Sequence, residues 1–310
     1  MPHEAADPLS PDLFAIQLRL SPVEPGTVTL GAGNHIHAAF LDLLRQSDPA
    51  LAEELHAPDQ RRPFTLGLLQ GFDHLTEAQR TEAMARGTPM PVAPGQIYWL
   101  RVTLLDADIA ASFTRAVLTN AHRLTLRLGN ASFAVTRVIG AERDEAAWVG
   151  SASFATLFAR NDAQRDYQFT FATPTAFSLG QKAWGKEFKV FPEPADVFGC
   201  LARQWELFAP LALRFAALGV QRRELTEWCA AQLIISQYAL ATRHVFGSRG
   251  FQGQVTYEVK GARTHPLARW LSPLAQLAFY VGVGYKTTMG MGQARCVTRS
   301  GPIAQERGDE

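Results

Sequence analysis

Several features are scarce in this sequence of 310 residues, and each scarcity argues against a class of protein. The chain has only three cysteines, and their wide spacing fits neither a paired motif nor a zinc-ligand pattern. No run of about 18 uncharged apolar residues is present, which argues against a membrane-spanning helix. The N-terminal stretch MPHEAADPLSPDL is acidic and lacks the apolar centre of a secretory signal. We therefore expect a cytoplasmic protein with no membrane segment, no metal and no other cofactor.

Charged residues are also few, at 19% of the chain, and the net charge is only +1. Their distribution is uneven. Residues 1–60 contain nine acidic residues and two basic ones, whereas residues 243–299 contain eight basic residues and one acidic residue, Glu258. A locally basic surface in the C-terminal part suits a protein that binds phosphates. A solvated face of a helix or strand would give the same count, so charge alone leaves both interpretations open.

A glycine-rich loop near the C-terminus, residues 282–293 with the sequence GVGYKTTMGMGQ, follows a long apolar stretch. Glycine is used where φ must be positive or where two backbones approach closely. Bare backbone N–H groups beside a lysine, here Lys286, can bind a phosphate. The segment therefore predicts either a phosphate-binding loop or a tight packing contact built on its glycines, which are Gly282, Gly284, Gly290 and Gly292.

Strand and helix patterns alternate along the chain and predict an α+β protein. In the first half we expect a helix in 31–46 with Asn34 as its N-cap, a short helix at 49–56 capped by Asp48, and further elements at 13–22, 63–69, 96–105, 108–122, 124–128 and 131–140. The polar segment before Pro94 stays unassigned. The order of strand, helix, strand, strand, helix, strand is that of a ferredoxin-like domain.

The second half repeats this order in part. Residues 167–177 and 250–261 are predicted strands, and residues 223–240 are predicted to be a helix, with a strand as the alternative at one end because of the β-branched residues there. We predict two tandem ferredoxin-like domains, residues 1–150 and residues 151–310.

Four segments resemble a known family: TPTAFS (173–178), FPEPADVFGCLARQW (191–205), GFQGQVTYEVKG (250–261) and, above all, FYVGVGYKTTMGMGQAR (279–295). They are similar to the CRISPR repeat-processing endoribonucleases of the repeat-associated mysterious protein (RAMP) superfamily. The stretch HAAFLDLLRQSDPALAEELH…RPFTLG (37–67) is similar to the family's first helical segment. The resemblance implies two tandem ferredoxin-like domains and a role in antiviral defence.

The function implied by this resemblance is metal-independent cleavage of CRISPR precursor RNA within the repeat, which matures guide RNAs. In that chemistry the ribose 2′-hydroxyl attacks the adjacent phosphate and leaves 2′,3′-cyclic phosphate and 5′-hydroxyl ends. The implied partners are the repeat RNA and the subunits of a CRISPR effector complex. One alternative is a non-catalytic, guide-RNA-binding structural subunit of such a complex. A ferredoxin-like enzyme acting on nucleotides or small molecules is a more distant alternative, since we find no paired carboxylates or metal cluster.

Catalytic histidine in the family lies in or just after the first helical segment, where this chain has His37 and His56. Histidine suits proton transfer near neutral pH. His35 is a second choice, because residues two apart on a helix point to different faces. From the residues alone, His37 could instead pack beside the core, and His56 could merely occupy a helix C-terminus, where cations are favourable.

Two further positions are compared with the family. Arg61 or Arg62 fits the place of a basic residue that would stabilise the phosphorane, although arginine cannot act as a base. Leu41 stands where the family often has a tyrosine, which removes one proton carrier. A mechanism with two histidines and support from a cation is therefore the expectation.

The predicted RNA-binding residues form two groups. Lys182, Lys186 and Lys189 lie in SLGQKAWGKEFKVF, with Trp184 between them as a stacking surface. This segment also fits a hairpin whose lysines protect a sheet edge from aggregation. The second group comprises Arg249, Lys286 and the backbone of the glycine-rich loop.

Overall fold

The computed structural model describes residues 10–46, 48–56, 62–120, 125–140, 148–245 and 247–298. Two antiparallel sheets dominate it, and each packs with helices into its own hydrophobic core. Cys200 and Cys229 are buried and serve as apolar side chains, and Cys296 is half-buried. None of the helices in these ranges is long and apolar enough to cross a membrane.

The first sheet is built around one strand. In chain order the elements of this half are β1 (Leu13–Pro22), β2 (Gly26–Thr29), α1 (Gly33–Arg45), α2 (Pro49–His56), β3 (Phe64–Leu66), α3 (Glu77–Arg86), β4 (Pro89–Val92), β5 (Tyr98–Leu104), α4 (Ala107–Asn120), β6 (Thr125–Leu128), β7 (Ala131–Ile139), β8 (Gly150–Ala152) and α5 (Phe154–Ala159). The strand order is β3-β5-β1-β7-β6, β8 also pairs with β1, and β2 pairs separately with β4. β1 is central because its alternating apolar residues, including Leu18 and Leu20, are fully buried.

The second sheet has the order β12-β13-β9-β14. The elements of this half are β9 (Asp166–Thr175), β10 (Phe177–Lys182), β11 (Gly185–Lys189), α6 (Pro194–Phe208), α7 (Arg222–Gln232), β12 (Leu233–Val245), β13 (Ser248–Val259), α8 (Leu271–Val281) and β14 (Ala294–Thr298). β10 and β11 form a separate antiparallel hairpin. The mixed two-sheet architecture confirms the predicted α+β class, while the boundary after residue 150 stays a prediction.

A local capping signal explains the start of α2 but not that of α1. α2 begins after Asp48, whose carboxylate accepts a hydrogen bond from the Leu51 amide at 3.0 Å, as predicted for a cap. The prediction that Asn34 caps α1 is wrong. Ala32 occupies that position without a side-chain hydrogen bond, and Asn34 lies in the first turn. The start of α1 is therefore set by its surroundings rather than by a capping side chain.

Two other elements differ from the sequence-based expectation. The polar segment left unassigned contains α3, which begins with a capping box formed by Thr76 and Gln79. The helix predicted over 223–240 ends at Gln232 and continues as β12, which was the alternative. The β-branched residues after Gln232 fit a pleated strand better than a helix.

A buried cation joins the two halves. Arg101 on β5 donates hydrogen bonds to the carbonyl oxygens of Trp148 at 2.8 Å and Phe279 at 2.6 Å. Thr103, also on β5, donates to the carbonyl of Tyr280 at 2.7 Å. Phe279 and Tyr280 lie in the last turn of α8, where helix carbonyls have no partner within the helix. Burial lowers the pKa of Arg101 to about 9. The first sheet thus fixes the end of α8, from which the glycine-rich loop departs.

Replacing Arg101 with methionine is expected to lower the free energy of unfolding by about 2–4 kcal/mol, because two buried carbonyl groups lose a charged donor. Urea unfolding followed by circular dichroism measures this change. Arg86→Gln is the control, because Arg86 forms an exposed ion pair with Glu82 at 3.0 Å, and such pairs contribute at most about 1 kcal/mol. Equal stability of the two variants would contradict the structural role of Arg101.

Candidate active site

His37 lies on α1 where the helix meets the glycine-rich loop. Its side chain is buried, and its ring stacks on Phe64 with the ring centres 5.7 Å apart. The Nδ1 atom lies 3.1 Å from the carbonyl oxygen of Thr288 in the loop. Because a carbonyl oxygen can only accept, Nδ1 carries the hydrogen. The neutral ring therefore has its lone pair on Nε2, which is the atom that can accept a proton.

The surroundings of His37 favour its neutral form. Burial lowers the pKa of His37 from its ordinary value of 6.5, although the hydrogen bond to Thr288 opposes this effect. The nearby positive charge of Arg62, and that of protonated His56, lower the pKa further. Arg62 and His56 thus act on His37 as nearby charges. Arg61 lies outside the described residues.

His35 and His56 open onto a groove of about 390 Å³ along the exposed face of α1. Arg45 and Arg127 also line this groove, and Arg45 forms an ion pair with Asp42 at 3.2 Å. His35 is exposed and His37 is buried, so the two point in different directions as expected from their spacing. Within the described ranges, no group of three or more His, Cys, Asp or Glu side chains is arranged to hold a metal ion.

The glycines of the glycine-rich loop are required by close packing. Gly282, Gly284, Gly290 and Gly292 all have positive φ, and a Cβ on any of them would lie too close to its neighbours. On Gly290, for example, it would overlap the side chain of Leu68 beside β3. On the facing helix, a Cβ on Gly33 would overlap the carbonyl oxygen of Met289. This geometry supports the interpretation that the glycines serve close packing. Phosphate binding by the same loop stays a prediction.

Lys286 is the one non-glycine residue with positive φ in the described part of the chain, at 58°. Its Nζ donates a hydrogen bond to the Ser248 hydroxyl at 2.9 Å. Arg249, the next residue on β13, is exposed. The structure therefore brings two of the predicted phosphate-binding cations to one region, where the loop meets the start of β13.

The three hairpin lysines differ in their surroundings. Lys186 donates to the Tyr285 hydroxyl at 2.8 Å, and its Nζ lies 4.1 Å above the Tyr285 ring. Lys189 forms an ion pair with Asp196 at 2.5 Å, and Lys182 lies 3.8 Å from Glu187. Trp184 at the hairpin tip is 80% exposed and has a free surface for stacking. Lys186 thus links the hairpin to the glycine-rich loop, whereas the other two have acidic neighbours.

Sequence reasoning missed two residues that shape the site. Thr288 orients His37 through its backbone carbonyl, and Gly33 lets the loop reach α1. Gly33 was visible as a glycine before a helix, which is a signal of close approach. No sequence pattern could have paired Thr288 with His37, because 251 residues separate them.

Family models match most of the chain. The model described as the CRISPR Cas6 N-terminal domain matches residues 13–159, and that described as the CRISPR-associated endoribonuclease Cas6 matches residues 169–294. A CRISPR-associated endoribonuclease Cas6 of Mycobacterium tuberculosis (strain H37Rv) is 28% identical over 46% of this chain and 42% of its own length. Another, of Streptococcus thermophilus, is 25% identical over 50% of this chain and 60% of its own length. The matches thus span about half the length of these curated relatives.

Solved structures resemble almost the whole chain. A Cas6 product complex has a TM-score of 0.71 and 27% identity, covering 92% of this chain and 100% of that one. A Cas6 substrate-mimic complex has a TM-score of 0.64 and 26% identity, covering 92% and 99%. Cas6 of Thermus thermophilus, with a TM-score of 0.65 and 24% identity over 93% and 99%, shares the fold.

The contact between Gly33 and Met289 can be tested by Gly33→Ala. The added methyl group is expected to push the loop away from α1 and to lower the free energy of unfolding by about 1–3 kcal/mol, the usual range for overpacking. Urea unfolding gives the change. Gly140→Ala is the control, because a Cβ there would make an ordinary contact of 3.5 Å with Ile16. A loss no larger than in the control would show that the loop does not dock as described.

The protonation state of His37 can be followed by ¹⁵N NMR of histidine-labelled protein. We expect the titration midpoint of His37 to lie below 6.5 and the neutral ring to be the Nδ1–H tautomer. Arg62→Gln should raise this midpoint, because it removes a positive charge that disfavours the imidazolium. Arg45→Gln, on the exposed face of the same helix, should leave it unchanged. A wild-type midpoint at or above 6.5 would contradict the burial of the ring.

Proposed function

The chain belongs to the Cas6 family of CRISPR-associated endoribonucleases, and we propose that it cleaves CRISPR precursor RNA within the repeat with His37 as the principal catalytic residue. The observation that carries this proposal is the hydrogen bond from His37 Nδ1 to the Thr288 carbonyl. It fixes the orientation of the ring and leaves Nε2 available as a base. The likeness to a Cas6 product complex and a Cas6 substrate-mimic complex supports repeat RNA as the substrate.

In the proposed first step, His37 Nε2 accepts the proton of a ribose 2′-hydroxyl. The 2′-oxygen attacks the adjacent phosphorus, and the bond from phosphorus to the 5′-oxygen of the next nucleotide breaks. The products are a 2′,3′-cyclic phosphate and a 5′-hydroxyl. A buried, neutral histidine suits this step, because general bases of this kind contribute about 10²–10⁴-fold to a rate. Its lowered pKa keeps it unprotonated at neutral pH.

The second proton transfer needs an acid for the leaving 5′-oxygen. We assign this role to His56, which is exposed at the end of α2 and interacts electrostatically with His37. His35, which lines the same groove as His56, is the second choice. Arg62 would stabilise the negative charge that develops on the phosphorane, as a fixed cation near the reacting atoms does.

The RNA is proposed to bind across the hairpin and the glycine-rich loop. Lys186 and Trp184 would contact the RNA from the hairpin, by charge and by stacking on a base. Lys286 and Arg249 would contact phosphates where the loop meets β13. Lys182 and Lys189 would add positive charge around these contacts. Lys189 also pairs with Asp196, which offsets part of its charge. The cytoplasm is the proposed location of this reaction, and the matured RNA would pass to a CRISPR effector complex.

A non-catalytic RNA-binding subunit is the competing function. Such a subunit would need the hairpin and the basic loop but would gain nothing from a neutral histidine whose tautomer is fixed. The position of His37 between Phe64 and Thr288 therefore favours the enzyme.

Cleavage of a labelled repeat RNA in EDTA tests the mechanism. His37→Ala is expected to reduce the rate about 10²–10⁴-fold while RNA binding is kept, because it removes only proton transfer. His56→Ala should also slow the reaction. His74→Ala, at an exposed histidine that the proposed mechanism does not use, should leave the rate unchanged. A repeat with a 2′-deoxy nucleotide at the scissile position should not be cut.

The pH dependence provides a second readout of the same experiment. Because burial lowers the pKa of His37, protonation should abolish activity only below pH 6.5, and the acidic limb of the rate profile should lie there. Binding by the wild type without any cleavage would instead support the non-catalytic subunit. Normal cleavage by His37→Ala would show that another residue is the base.

A further inference from the structure

A groove of about 680 Å³ lies between α6, α7 and the base of the β10–β11 hairpin. Its volume is within the range of about 300–1,000 Å³ that is usual for small-ligand pockets. Phe177 and Ala195 give it an apolar part, and Gly284 and Tyr285 of the glycine-rich loop form one wall. The Gly284 amide lies 3.3 Å from the sulfur of Cys200, which holds this wall against α6. The proposed cleavage step uses none of these side chains.

The charge in this groove is positive. Its charged lining residues are Asp196, Arg203, Arg222 and Arg223. Asp196 is neutralised by Lys189 at 2.5 Å, and Arg223 is paired with Glu227 at 2.7 Å. Arg203 and Arg222 are exposed and have no carboxylate partner in the part of the chain that the structure describes. Arg203 donates one hydrogen bond, to the sulfur of Cys200 at 4.0 Å. Two guanidinium groups without carboxylate partners in this part of the structure, beside an apolar surface, match the phosphate and the base of a nucleotide.

The groove is connected to His37 through the glycine-rich loop. Tyr285 lines the groove, and Thr288, three residues later, holds the His37 ring. Three residues span at most about 11 Å even when fully extended. An RNA strand with its scissile phosphate at His37 therefore reaches the groove within a few nucleotides.

The groove is also continuous with the hairpin. Lys186 on the hairpin contacts the ring and the hydroxyl of Tyr285. Tyr285 also lines the groove, so it connects the groove to the hairpin. The basic surface thus extends from the hairpin, past Tyr285, to Arg222. A single RNA strand lying along this surface would contact the hairpin, Tyr285 and Arg222.

We propose that this groove is a subsite for unpaired repeat nucleotides that flank the scissile phosphate. Arg203 and Arg222 bind their phosphates, and the apolar part beside Phe177 receives a base. The inference rests on the proposed function and deepens it, because it assigns recognition of single-stranded RNA to a place separate from the catalytic histidine. Single-stranded RNA fits better than a duplex, because an unstacked base is free to enter a groove of this size.

The test is equilibrium binding of the full chain to a repeat RNA that carries a 2′-deoxy nucleotide at the scissile position, so that cleavage does not interfere. The wild type, the double variant Arg203→Gln/Arg222→Gln and the control Arg86→Gln, at an exposed ion-paired arginine on α3 outside the groove, are compared over a range of salt concentrations. Each is also measured with two trimmed RNAs, one lacking the unpaired nucleotides upstream of the scissile position and one lacking those downstream. Thermal unfolding confirms that the variants, which alter exposed side chains, fold normally.

We expect the double variant to bind the full repeat about 10-fold more weakly and to reduce the slope of log K against log salt by about 1.4, since each single-strand phosphate contact contributes about 0.7. The control should change neither value. The double variant and the wild type should bind one of the two trimmed RNAs with equal affinity. The nucleotides missing from that RNA are then the ones that occupy the groove.

Two results would overturn the inference while leaving the proposed function intact. The double variant could bind all three RNAs like the wild type, or it could lose the same affinity on all three. In both cases cleavage of the unmodified repeat by the wild type shows that the enzyme assignment stands. Failure of the wild type to bind any repeat RNA would remove the proposed function itself, and this subsite with it.

Discussion

The hydrogen bond between His37 and the carbonyl of Thr288 is the contact on which the site depends, because it joins a helix of the first half to a loop of the second. It can form only if the loop backbone lies directly on the start of α1. That approach requires Gly33 to have no side chain and the loop to turn through glycines. The position of the loop in turn depends on α8, whose last carbonyls are held by Arg101 and Thr103. A series of contacts to the backbone of α8 and the loop thus connects the first sheet to the imidazole of His37.

Burial lowers the pKa of both basic side chains at this junction, Arg101 and His37, but the two differ in the charge state that results. Arg101 keeps its charge because two carbonyl acceptors and the rings of Trp148 and Phe279 beside it compensate for lost water. His37 has one carbonyl acceptor and two positive neighbours, so burial favours its neutral form. The same low-dielectric junction therefore contains a permanent cation that stabilises the fold and an uncharged ring that suits proton transfer.

The glycine-rich loop serves several surfaces at once. Tyr285 faces the hairpin and the groove of α6 and α7, Lys286 meets the start of β13, and Thr288 and Met289 meet α1. A segment with this many neighbours has little freedom in its backbone, which explains why its glycines adopt conformations that other residues rarely reach. Under the proposed function, one short loop both orients the base and borders the RNA, so cleavage is tied to the way the RNA lies on the surface.

The sequence by itself determined the elements whose signals are local. Apolar alternation placed β1, and Asp48 placed the start of α2, because periodicity and capping act over a few residues. The resemblance to a family supplied His37, His56 and the loop glycines as candidates. Only the tertiary structure decided that α1 starts without a capping side chain and that Thr288 fixes the tautomer of His37. These depend on contacts between residues up to 251 positions apart, and such contacts follow from the packing of two cores rather than from any local pattern.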